Sequence, residues 1–154
     1  RTLNRTEGVR FMIRISKSVE YALIAVQHMS RRHDRLTSAR DLSEHFALPK
    51  GLMAKILQRL ASAGILESVQ GVRGGYRLAR DLDGVSFLEL SDAVEGPARP
   101  AACDGAGDHA CGRTEVCTVS EPVHVLSARI VDLLEETKVG ALLHRPGVAA
   151  GEGV

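Results

Sequence analysis

The chain has 154 residues, 44% of them hydrophobic and 25% charged, the proportions of one ordinary globular domain or of a small domain with an added dimerisation element. No apolar run approaches the roughly 18–20 residues of a membrane span, and residues 1–11 lack the apolar stretch of a secretory signal; a membrane is excluded as a partner and a cytoplasmic protein is expected. Lys and Arg number 20 against 19 Asp and Glu, so the net charge of +1 is silent about partners and only the placement of charge can speak.

Residues 1–11 have no hydrophobic period and are set apart as an N-terminal extension, expected to be disordered. The spacing of Val19, Ala22, Leu23, Val26 and Met29 predicts an amphipathic helix over 16–31, capped by Ser16 or Ser18. Ser38 followed by Asp41 resembles a capping box and starts a short helix over 39–46 that would bury Leu42 and Phe46. Ala47 and Leu48 make a turn. Pro49 then suits the first position of a helix over 49–63 with Leu52, Met53, Ile56, Leu57 and Leu60 inside and Gly64 as its stop. Two helices around so short a turn form a helix-turn-helix. Two short strands, 65–69 and 76–79, flank the glycine-rich turn 70–75 and make a hairpin, placed as the wing of a winged helix. A short helix over 86–94 follows. The stretch 98–119 has the composition of a loop. Val123, Leu126, Ile130, Leu133 or Leu134, and Thr137 predict one long helix to residue 143. No segment remains to cover that stripe, so a second copy is expected to, through Leu126, Ile130 and Leu133. The fold class is mainly α with a small β wing. The layout is a winged helix-turn-helix (12–82), a short helix and cysteine segment (83–119), a dimerisation helix (120–145) and a disordered tail (146–154).

Between 49 and 80 the basic residues are Lys50, Lys55, Arg59, Arg73, Arg77 and Arg80, against Glu67 alone. A charge run is most often a solvated face. On a helix-turn-helix and wing it is the patch that neutralises phosphates, while the first turn of the second helix reads base edges in the major groove. Double-stranded DNA is therefore the expected partner. Ser38, Lys50, Gly51, Lys55 and Arg59 are the helix candidates and Gln70 and Arg73 those of the wing. No Walker-type Lys-Ser/Thr follows the glycines, which argues against nucleotide binding. No catalytic Ser/His/Asp set or carboxylate pair is visible, so an enzyme is not expected.

Cys103, Cys111 and Cys117 are all the cysteines, spaced Cys-x7-Cys-x5-Cys. Three clustered thiols suit a soft metal or an iron–sulfur cluster better than an extracellular disulfide framework, which pairs an even number. One disulfide with a spare thiol is the plainer alternative. Three sulfurs leave a fourth ligand missing, with His109, His124 or a residue from elsewhere such as Glu20 as candidates.

Taken together, these stretches resemble the Rrf family of iron–sulfur winged-helix regulators, with its IscR and NsrR branches. The resemblance lies in IRISKSVEYAL (13–23), SARDLSEHFALPKGLMAKILQRLASAGIL (38–66), SVQGVRGGYRLAR (68–80), DAVEGP (92–97) and the three cysteines, and covers about 13–143. It implies a homodimer with crossed long helices. It also implies a cluster, 2Fe-2S or 4Fe-4S, whose state tunes operator binding, most simply repression. The first cysteine gap is longer than the family's usual five. The IscR branch places a His three residues after the third Cys, where this chain has Ser120. The NsrR branch takes a carboxylate from the first helix of the other protomer, and Glu20 holds that position. A cluster-free thiol–disulfide sensor and a structural zinc protein are the competing readings.

Overall fold

The structure is a computed structural model that describes residues 15–100 and 116–144. The first helix, α1 (Lys17–Ser30), starts where Ser16 Oγ accepts the Val19 amide at 3.3 Å. Its buried face is Val19, Ala22, Ala25, Val26 and Met29, with Leu23 only partly covered. Helix α2 (Ala39–Phe46) has both halves of the capping box: Ser38 Oγ accepts the Asp41 amide at 3.1 Å and Asp41 Oδ2 accepts the Ser38 amide at 2.9 Å. Leu42 is buried as expected, but Phe46 is not. The helix ends at Ala47 in the left-handed conformation, and Phe46 turns to the rim, edge-on to His28 and His45.

Helix α3 (Lys50–Ser62) begins one residue later than expected, because Pro49 takes ψ 115° and serves as its N-cap. It buries Met53, Ile56, Leu57 and Leu60, while Leu52 stays half-buried at the edge of the stripe. Gly64, at φ 72°, takes the chain out of the helix in a conformation that side chains resist. Strands β1 (Leu66–Val69) and β2 (Gly75–Leu78) pair antiparallel from Leu66 opposite Leu78 to Val69 opposite Gly75. A third partner joins them: Thr37 and Tyr76 exchange two amide–carbonyl bonds of 2.9 Å each. One residue is too short to show a strand period, so this bridge, which ties the entry of α2 to the wing, had no sequence signal.

A 3-10 turn (Leu82–Gly84) leads into α4 (Phe87–Glu95), capped by Ser86. The expected single helix to residue 143 is in fact two, α5 (Ser120–Glu136) and α6 (Val139–Leu143). The break is paid for by pairing elsewhere. Thr137 Oγ1 donates to the Leu133 carbonyl at 2.7 Å, the Thr137 carbonyl accepts the Phe87 amide at 2.7 Å, and the Val139 amide donates to the Val85 carbonyl at 2.9 Å. Val139 is thereby sealed in the same core as Val26, Leu60, Leu90 and Val94. The end of the stripe thus has a partner within its own chain. Among the described residues no helix is long and apolar enough to cross a membrane.

Candidate nucleic-acid interface and cysteine site

Lys50, Gly51 and Lys55 are exposed on the first turns of α3, whose N-cap Pro49 offers no side-chain acceptor. The amide end of that helix dipole is therefore uncapped by any side chain, as suits an anion. Gly51 faces open space, so a partner's backbone can come close. On the wing, Gln70 and Arg73 are exposed around the turn and Val72 stands fully out into solvent.

Ion pairing separates the six basic residues. Arg77 Nε pairs with Glu67 at 2.8 Å, which holds the Glu67 carboxyl below its ordinary pKa. Arg80 pairs with Glu89, an acid delivered by α4 that no local reading of 49–80 could count. Arg59 Nη1 donates to the Val94 carbonyl and ties α3 to the end of α4. Lys50, Lys55 and Arg73 have no carboxylate partner among the described residues. They sit on the start of α3 and on the wing. The Ser38 hydroxyl is occupied in the capping box, donating to Asp41 Oδ2 at 2.7 Å.

Cys103, Cys111 and His109 lie outside the described residues. Cys117 is an unbridged thiol, half-buried, just ahead of α5, and its carbonyl accepts Ser120 Oγ at 3.3 Å. Glu20 is half-buried in the first turn of α1 and paired with Lys17 at 2.5 Å. One turn earlier, the Ser16 hydroxyl donates to Glu95, so the start of α1 is pinned to the end of α4, after which the cysteine segment begins. His124 lines a groove with Pro97, Arg99 and Ser127. Among the described residues no three metal-binding side chains converge.

Helix α5 has two apolar faces. Ser127 is buried and Leu134 packs on the core. On the other face Val119, Leu126 and Leu133 are exposed at 57%, 58% and 62%, with Ile130 half-buried between the last two.

Residues 15–145 match the family model Rrf2, described as iron-dependent transcriptional regulator. The chain belongs to the Rrf2 family. Among Rrf2-type relatives, the HTH-type transcriptional regulator IscR of Vibrio cholerae is 31% identical over 103 residues, 67% of this chain and 58% of that protein. A candidate HTH-type transcriptional regulator of Aquifex aeolicus is 26% identical over 131 residues, 84% of this chain and 90% of that protein. The structure of CymR, the global cysteine regulator of Bacillus subtilis, superposes with a TM-score of 0.61 at 18% identity, over 85% of this chain and 96% of that one. Membership in Rrf2 makes the chain a DNA-binding transcriptional regulator, and the winged-helix architecture read from the sequence stands.

Proposed function

We propose that the chain is a homodimeric repressor whose operator affinity is set by an iron–sulfur cluster, 2Fe-2S or 4Fe-4S. Cys103, Cys111 and Cys117 of one protomer would hold it, with Glu20 of the other as fourth ligand. The observation that carries the DNA half is the sorting of charge: Lys50, Lys55 and Arg73, on helix start and wing, have no carboxylate partner among the described residues, while Arg77 and Arg80 are paired with Glu67 and Glu89. Gln70 and Gly51 complete this surface, Ser38 orients α2, and Arg59 braces α3 from behind.

The cluster half rests on the donor set and the resemblance to iron–sulfur regulators. Three thiolates are soft ligands for iron, and the one described, Cys117, is unbridged and half-buried. When bound, such a cluster supplies a redox- and ligand-sensitive centre. This chain's part would be to hold it with Cys103, Cys111 and Cys117, the last just ahead of α5, and with Glu20 in the first turn of α1 of the other protomer. Glu20 can serve only by releasing Lys17, an exposed pair of small worth.

The test is an anaerobic preparation with iron and sulfide counts, followed by operator titration at several salt concentrations. Visible iron–sulfur absorption, lost on replacing any one cysteine by Ala, is expected. Glu20→Ala should keep colour with an altered spectrum. Lys50→Ala, Lys55→Ala and Arg73→Ala together should weaken binding across sequences, each lost phosphate contact lowering the salt slope by about one. Unchanged affinity would overturn the DNA surface. A colourless protein with a reversible thiol change would replace the cluster by a thiol sensor.

A further inference from the structure

A cleft of about 550 Å³ opens between the end of α1, the 31–36 turn and α2. Its charged lining is His28, Arg32, Arg35, Asp41, Glu44 and His45. Both carboxylates are already engaged. Asp41 accepts from the amide and hydroxyl of Ser38, and Glu44 accepts Arg40 Nε at 2.7 Å. Arg32 and Arg35 have no carboxylate partner among the described residues. They project from a hydrogen-bonded turn, in which the Arg32 amide donates to Met29 and the Arg35 amide to Arg32. His28 and His45, one on each helix, stand with ring centroids 5.3 Å apart, and Phe46 closes edge-on against both.

Burial, then Arg32 and His45, hold the His28 pKa below its ordinary value. Near neutral pH its imidazole is uncharged, with an N–H to give. Two guanidinium groups and two imidazoles face one space whose two lining acids are engaged by Ser38 and Arg40, while Asp34, between the arginines in the turn, lies outside that lining. That combination lacks only the acceptor. We propose that the α1–α2 cleft binds a small oxyanion, a carboxylate or a phosphate, through Arg32, Arg35, His28 and His45. Its volume suits a small organic anion.

Chain direction argues against a DNA phosphate as the occupant. Thr37 pairs antiparallel with Tyr76, so residues before Thr37 run toward Leu78 and away from the wing turn. Arg32 and Arg35 indeed share a small cavity with Arg77 and Leu78, at the base of the wing. The cleft nevertheless reaches the DNA-binding unit through Asp41, which both lines it and caps α2. An anion seated there would load the entry of α2.

The experiment uses the DNA-free full chain, so its outcome is independent of the operator and cluster readings. Calorimetric titration with sodium phosphate and, separately, sodium succinate is compared with sodium chloride at matched ionic strength. Saturable binding of either anion, with shifted ring-proton signals for His28 and His45, is expected; which anion binds tells the two sources apart. Arg32→Gln with Arg35→Gln, both exposed, should weaken it roughly tenfold or more, and Arg31→Gln should not. The proposal is overturned if neither anion saturates above the chloride control, or if the double variant binds as well as the parent. Weakened duplex DNA binding by the double variant, without any free-anion binding, would also overturn it and assign the two arginines to the operator.

Discussion

Ala47 is the only described non-glycine residue with positive φ, at 53°, and it stands exposed in the turn between α2 and α3. A left-handed alanine is strained by roughly 1–2 kcal/mol, whereas glycine adopts the conformation freely at some expense in unfolded-chain entropy. Ala47→Gly should therefore stabilise the fold by about 0.5–1 kcal/mol, read as a higher denaturation midpoint. Ser38 and Asp41 make a second residue-scale case. Hydrogen bonds from the Ser38 side chain and backbone hold the Asp41 carboxyl below the usual carboxylate range. A depressed carboxyl stabilises the fold above its unfolded pKa and loses that contribution as pH falls through its folded pKa. Asp41→Asn should be destabilising at neutral pH, and its gap from the parent should close as the pH drops below about 3.9. Chemical denaturation across that range checks it; a gap constant with pH would mean that the charge is irrelevant. Ser38→Ala should cost about 1 kcal/mol. The capping box was legible because its partners are three residues apart. The Arg80–Glu89 pair was not, because α4 has to fold back before the two meet.

At the scale of elements, every helix through α4 was legible from period and caps, and the hairpin from its glycines. The failure came at Thr137. Apolar spacing runs on through the break, and what stops the helix is backbone pairing with Val85 and Phe87, about fifty residues away in sequence. The same distance problem would govern the proposed cluster site: clustered cysteines suggest thiolate chemistry, but a fourth ligand from another element would leave no local mark. The returning segment α6 rests on a tight fit. A Cβ built on Gly140 would lie 2.0 Å from Asp83 Oδ1 and 2.8 Å from the Asp83 amide nitrogen. The side chain can rotate away, but the amide cannot. Gly140→Ala should destabilise by about 1–3 kcal/mol, the range for overpacking a closed site, while Ala141→Ser on the exposed side should not. Equal midpoints for the two variants would show that α6 does not dock as described.

At the scale of the whole molecule, α5 packs on its own core along one face and leaves a second, adjoining apolar stripe largely exposed. Val119, Val123, Leu126, Ile130 and Leu133 follow one another at alternating steps of four and three, the seam of a paired helix. Buried Ser127 and half-covered Leu134 lie on the adjoining face, about 100° round the helix from Leu126 and Leu133, against the protomer's own core. At 1.5 Å per residue the 17-residue helix is roughly 25 Å long, enough to align a self-complementary stripe with its copy about a two-fold axis. Two winged helices joined this way would engage two half-sites together, so assembly and operator affinity should fail together. Ile130→Asp tests this, because Ile130 lies outside the hydrophobic core and its loss leaves the winged helix intact. The parent should sediment as a dimer at micromolar concentration. The variant should sediment as a monomer with an unchanged circular dichroism spectrum, and its affinity for the full operator should fall toward that for a half-site. A monomeric parent, or a variant that dimerises normally, would move the interface off this face of α5.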